Sequence, residues 1–290
     1  MKFRAILLSL ACSLGAGEGA AGLLNDVGVE LTHDDNITRA ELERDIKRES
    51  ALTVSASAGP RFQLTDHDSV ALTASLAATA HRRYDGLDNA SAGLALTWRR
   101  KIGLGPYVPH LGLGVSATRL DYRDALRDGW LYAAEAEASK RLSERLTVRA
   151  IYRSERRRAD DTPDRVVSFV PADVFDLRSH SLGISGEFAW DPRYLISGGY
   201  TVHRGDIVST TQRNRPVFLA SRAIARDPVF GDDTFAYTMR AVTQALNLGV
   251  SRVIGRQASL SLGYEYRDSR ADGGIEYRSN IVRAIYLYGF

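Results

Sequence analysis

The stretch Val282-Arg283-Ala284-Ile285-Tyr286-Leu287-Tyr288-Gly289-Phe290 decides the fold class. Successive side chains of a β-strand point to opposite faces. One parity of this stretch carries Val282, Ala284, Tyr286, Tyr288 and Phe290, and the other carries Arg283, Ile285, Leu287 and Gly289. An aromatic face that runs to the tip of a strand suits a barrel wall that meets lipid. Tyr286, Tyr288 and Phe290 are therefore expected to face the bilayer.

The opposite terminus reads as a secretory leader. Lys2 and Arg4 precede an apolar core from Ala5 to Leu14, and small residues continue to Gly22. Cleavage after Ala21 is expected, which divides the chain into a signal peptide, 1–21, and an outer-membrane barrel domain, 22–290. Lipidation at Cys12 is the alternative, but Ser9 stands where such a leader favours Leu. Cys12 is the one cysteine. The exported chain is thus expected to hold no disulfide and no thiolate metal or redox centre.

The rest of the chain has no apolar run of about 18 residues, the length of a membrane-crossing helix. With 25% charged residues and a mean hydropathy of -0.21, a membrane protein of this composition has to be a barrel with a wet interior. The net charge of +3 is small and dispersed. Together with the leader, it argues against a nucleic-acid partner.

About twelve alternating runs follow one another, separated by turns or polar loops. They cover 26–34, 49–64, 69–84, 89–101, 107–122, 129–141, 145–157, 179–190, 193–207, 235–253, 258–270 and 274–290. The apolar parity of the third, for example, is Val70, Leu72, Ala74 and Leu76. In the tenth, two sets compete: Val242, Leu246, Leu248 and Val250 against Met239 and Ala241. Connections after even runs are short, and those after odd runs are longer or more polar. That is the rim asymmetry of an up-and-down transmembrane barrel. The connections 158–178 and 208–234 are the longest, and long connections without structure are functional or disordered. A soluble sandwich or barrel is the competing class. Trp98, Trp130 and Trp190 at run ends favour the membrane reading, as girdle residues.

If the apolar parity faces lipid, the other parity lines a lumen. It carries Arg61, Arg99, His110, Glu135, Glu137, Arg149, Arg153, Glu187, Glu265, Arg267 and Arg283, among many Ser and Gly residues. Two uses of these charges compete. Fixed charges in a water-filled bore select and steer solutes. Alternatively, Arg and Glu on adjacent strands pair and fill the interior, Glu135 and Glu137 with Arg149 and Arg153 for instance.

No catalytic constellation stands out. His180 and Ser181 are sequence neighbours, so a strand sends them to opposite faces. His33-Asp34-Asp35-Asn36 offers oxygen ligands for a hard cation, yet its chemistry is that of a turn opening the first loop. No metal, cofactor or catalytic residue is expected.

The terminal alternation closed by Phe290 resembles the C-terminal signal of Gram-negative outer-membrane barrels. Gly28-Val29-Glu30-Leu31, Asp35-Asn36-Ile37-Thr38-Arg39-Ala40 and Ala51-Leu52-Thr53-Val54-Ser55-Ala56-Ser57-Ala58-Gly59 resemble the opening hairpin of outer-membrane proteins of the beta-barrel porin 2 kind. These resemblances imply export to the outer membrane and assembly there by the barrel machinery through the last strand. They also imply contact with outer-membrane lipid and lipopolysaccharide, and a link to exopolysaccharide loci. The expected function is a porin-like channel for small or saccharide solutes, or an export-associated barrel. A structural or surface-binding barrel is the second reading, with the long loops as contact surface, and an outer-membrane hydrolase is the third.

Overall fold

A computed structural model describes residues 23–290. The leader and Cys12 lie outside the described residues. Strands β1 (Leu23–Asp34), β2 (Glu49–Gln63), β3 (Asp68–His81), β4 (Asn89–Lys101) and β5 (His110–Tyr122) are followed by β6 (Gly129–Arg141), β7 (Leu146–Ala159), β8 (Leu177–Ala189) and β9 (Tyr194–Thr211). Helix α1 (Arg215–Ala220) and a short strand β10 (Ala223–Arg226) precede β11 (Phe235–Ile254), β12 (Ala258–Ala271) and β13 (Glu276–Gly289). Every pairing is antiparallel between neighbours. The sheet closes where β1 meets β13 and β9 meets β11. Set β10 aside and the wall is a twelve-stranded up-and-down barrel.

Polar turn chemistry ends the strands on the short-connection rim. Asp191 accepts hydrogen bonds from the backbone N–H of Arg193 and Tyr194, at 2.6 and 2.9 Å. The Thr65 hydroxyl accepts from His67 and Asp68 in the same way. Side chains that compete for local backbone groups favour turns over ladders.

The register fixes which parity faces out. Val27 lies opposite Tyr288, Leu31 opposite Ala284 and Leu248 opposite Tyr264. The apolar side chains of this parity are largely exposed: Leu31 and Leu248 are each 55% accessible, and Leu182 on β8 is 63%. The other parity carries the small and charged residues and makes the ion pairs described below. In β11, the outward set is Val242, Leu246, Leu248 and Val250, while Met239 and Ala241 are buried on the inner side. The two competing sets of the sequence thus belong to different surroundings along one long strand.

The well-packed apolar core lies at the long-loop rim, not in mid-barrel. Val217, Ile224, Phe235, Tyr237, Met239, Ile275 and Tyr277 form one cluster there. Val174 and Phe175 join Ala223, Ala225 and Ala236 in another. Both draw on the connections 158–178 and 208–234, which the sequence reading leaves without secondary structure. Instead β9 runs on to Thr211, and α1 and β10 fold against the extended β9–β11 pair. Side chains buried in this way contribute about 1.5–3 kcal/mol each, enough to hold a connection in one shape.

Candidate functional site: the lumen and its roof

Two clusters of alternating charge stand on roughly opposite inner walls. On the first, Arg149 of β7 lies 3.2 Å from Glu137 on β6 and 3.6 Å from Glu187 on β8. Two inward-facing positions further along β7, Arg153 contacts Glu135 at 3.3 Å and Glu155 at 2.8 Å. On the second wall, Arg283 of β13 reaches Glu265 on β12 at 2.7 Å and Glu30 on β1 at 3.6 Å. Arg267 also binds Glu265. Adjacent strands carry like parity at matched register, which is why these partners meet. Their side chains are 10–40% exposed, so water still reaches them. Glu30 and Glu155 complete the clusters and are missing from the charges nominated by sequence. Their inward parity was readable: Glu30 shares it with Gly28, and Glu155 with Arg153.

A third inward group sits near the short-turn rim. Arg61 closes β2, Arg99 and Lys101 close β4, and His110 opens β5. Arg99 and His110 flank the pairing of β4 with β5, and Lys101 lies opposite His110. Among the described residues none of the three cations has a carboxylate partner. Arg61 only approaches the Ser69 hydroxyl, at 3.5 Å. Between the groups the inner wall is small: Ser55, Ser57, Ser75, Gly93, Gly112, Gly183, Ser197 and Gly199 leave space where large side chains would fill it.

The long-loop rim carries a folded roof. The segment after β9 crosses to the far side, where Phe230 packs on Tyr84 with ring centroids 4.8 Å apart. Asp227 accepts from Arg127 Nη2 at 2.7 Å and from the Thr210 hydroxyl at 2.8 Å. Arg127 also pairs with Asp124, and its guanidinium lies 4.7 Å from the Phe175 ring. The first loop crosses as well: Ser209 donates to the Arg39 carbonyl at 2.7 Å, and Thr211 donates to Asp45 at 2.5 Å. Strands β3, β5, β9 and the first loop are thereby tied together over the mouth.

Titration is shifted at Tyr84 and Asp160, among other groups of the long-loop rim. Burial, with the Glu49 carboxylate next in weight, pushes the Tyr84 hydroxyl up. The Arg119 hydrogen bond holds the Asp160 carboxyl below its usual range.

The polar run at the end of β1 is a turn. Asp34 accepts from the Asn36 N–H at 2.8 Å, and Asp35 accepts from the Asn280 backbone N–H with one oxygen and from the Asn280 side-chain Nδ2 with the other, both at 2.7 Å. His180 faces outward, bonded to the Tyr152 hydroxyl at 2.9 Å, with Ser181 on the inner face. Of the girdle residues, Trp130 and Trp190 are exposed and Trp98 half-buried, all on the outward side.

No protein-family model matches the sequence, and no curated protein does. Solved structures do match. An outer membrane channel from Pseudomonas putida F1 superposes with a TM-score of 0.55 at 14% identity, covering 96% of this chain and 100% of that one. The outer membrane channel DcaP of Acinetobacter baumannii gives 0.46 at 9% identity, over 93% and 97%. The KdgM porin gives 0.43 at 10%, over 91% and 99%. The closed twelve-stranded antiparallel barrel described above is therefore similar in fold to the outer membrane channel from Pseudomonas putida F1.

Proposed function

We propose that this chain is an outer-membrane, porin-like channel for small hydrophilic solutes, and not an enzyme. The observation that carries the proposal is the inner wall, where Arg61, Arg99, His110, Glu135, Glu137, Arg149, Arg153, Glu187, Glu265, Arg267 and Arg283 line a bore otherwise lined by Ser and Gly. A barrel of eight strands is filled by its own side chains, and one of sixteen leaves a channel. With twelve, the small residues leave room for water beside the paired charges. The β12–β13–β1 cluster balances two arginines with two glutamates, and the β6–β8 cluster sets four glutamates against two arginines. The unpaired Arg61, Arg99 and Lys101 gather at the short-turn mouth and set a mild preference for anions there. The solute class extends to saccharides, since a wall of alternating donors and acceptors suits neutral polyols. Arrival in the outer membrane requires the signal peptide, 1–21, and recognition of the last strand by the assembly machinery.

The experiment is liposome swelling with sugars of graded size. Swelling by monosaccharides that falls off with size supports the channel, and no swelling at any size contradicts it.

The roof favours a second reading. A mouth tied across by Asp227, Phe230 and Asp45 suits a barrel whose outer surface binds a partner and whose bore stays shut. Removal of 212–234 separates the two: swelling that appears only in the shortened protein belongs to the shut barrel.

A further inference from the structure

The outward face changes character towards the long-loop rim. Along β7, Tyr152 is followed outward by Arg156 and Arg158. Moving outward along β8, Leu182 gives way to His180 and then Arg178. On β9, Tyr200 is followed by Arg204, and on β11 Arg240 lies beyond Val242. All of these arginines are exposed and carry the parity of the lipid-facing residues below them. The tyrosines mark the interface by their chemistry, with the ring against lipid and the hydroxyl bonded, as Tyr152 is to His180 and Tyr200 to Gln244 at 2.8 Å. The guanidinium groups therefore lie at headgroup height on the outer side of the wall.

The arrangement is costly without an anion. Arg156 and Arg178 are directly opposed in the ladder, and like charges in that position repel. Among the described residues Arg156, Arg178, Arg204 and Arg240 have no acidic partner. The acids nearby are fewer and largely engaged. Asp206 stands opposite Arg240 in the ladder, yet its carboxylate is turned to Arg222 at 2.5 Å and to the Arg178 backbone N–H at 3.0 Å, and Asp176 accepts from the Ala159 N–H at 2.6 Å. Overhanging loop residues turn the patch into a concavity of about 720 Å³ whose lining counts seven arginines against four aspartates. Guanidinium forks match phosphate oxygens two by two.

We propose that Arg156, Arg178, Arg204 and Arg240 form an outer-wall site for the phosphate groups of a glycolipid in the outer leaflet. The site faces the lipid side of the wall, not the bore, and its floor is the apolar band that acyl chains would cover. The proposal rests on the outer-membrane reading given above.

The test uses the full barrel in detergent, with bisphosphorylated lipid A, the same lipid with its phosphates removed, and inorganic phosphate as probes. Native mass spectrometry reads binding, and planar-bilayer recording is run in parallel. The phosphorylated lipid should bind at least about tenfold better than the phosphate-free form. That preference should vanish when the four arginines become Gln, with conductance unchanged. Should the fourfold variant fail to fold, Arg156→Gln/Arg178→Gln carries the test, because it removes a repulsion. Equal binding of both lipids, or a preference that survives the substitutions, overturns the site. So does displacement by inorganic phosphate at matched concentration, which would mark a site for free phosphate. Loss of lipid preference with no conductance in either protein counts against the channel reading and leaves the site standing.

Discussion

Arg127 and Asp227, one hundred positions apart in the chain, meet at 2.7 Å inside the roof, where both are almost wholly buried. One comes from the connection after β5 and the other from the segment between β10 and β11. Their bond joins walls that share no ladder. Removing one partner of a buried pair leaves an uncompensated charge, at a cost of about 3–5 kcal/mol. Arg127→Met should therefore release the roof, seen as fast amide exchange and protease cleavage within 212–234, while the wall strands stay protected. The double change Arg127→Met/Asp227→Leu should recover much of the lost protection. Equal exposure in the two variants would show that the pair does not hold the roof.

The facing of β11 can be tested by neighbouring residues. Leu248 faces out and Asn247 faces in, opposite Glu265. Arginine on the lipid face near mid-bilayer costs about 2–4 kcal/mol, while a lumen position tolerates it. Leu248→Arg should lower the urea midpoint of the folded barrel, and Asn247→Arg should leave it nearly unchanged. The reverse order would mean that the inside and outside are assigned the wrong way round.

Gly205 sits where β9 passes close against the β8 backbone near the long-loop rim. A Cβ there would lie 2.3 Å from the Arg178 carbonyl oxygen and 2.5 Å from Ser179 Cα, both backbone atoms that cannot swing aside. Gly205→Val should force β8 and β9 apart. The roof should loosen by proteolysis, and the wall below should still fold and resist heat in detergent. Wild-type protection of 212–234 in this variant would show that the close β8–β9 approach does not support the roof.

On the proposed channel reading, charge at the short-turn mouth sets ion preference. With Arg61, Arg99 and Lys101 all changed to Gln, the reversal potential in a salt gradient should move from weakly anion-selective towards cation-selective. Four Gln changes at paired positions, removing Arg149 with Glu137 and Arg283 with Glu265, should shift it far less. Equal shifts would assign selectivity to the paired clusters.

The wall was readable because its signal is local. Alternation with period two is written in each run, as in Val70-Leu72-Ala74-Leu76, and a single parity carries over from strand to strand through the ladder. The inward charges follow from the same count, and even the partners that reading left out, Glu30 and Glu155, lie on it. The roof is a different matter. Arg127–Asp227, Tyr84–Phe230 and Thr211–Asp45 depend on contacts across the mouth between segments far apart in sequence. No period announces them. Phe235, Tyr237 and Met239 continue the inward parity of β11, but they meet α1 and β10 instead of water. The outer arginine patch was hidden for another reason. Its residues share the lipid-facing parity, and only the ladder shows that Arg156 and Arg178 stand side by side. The beta-barrel porin 2 resemblance rested on the first hairpin, and no family model carries it over the chain.

The central claim is that the charged bore conducts. Single-channel recording in planar bilayers, on the wild-type barrel beside the protein lacking 212–234, tests it most directly. The account expects discrete, weakly anion-selective steps in the wild type, larger in the shortened protein as the roof is removed. A membrane that stays silent with both, although both are folded and inserted, contradicts it.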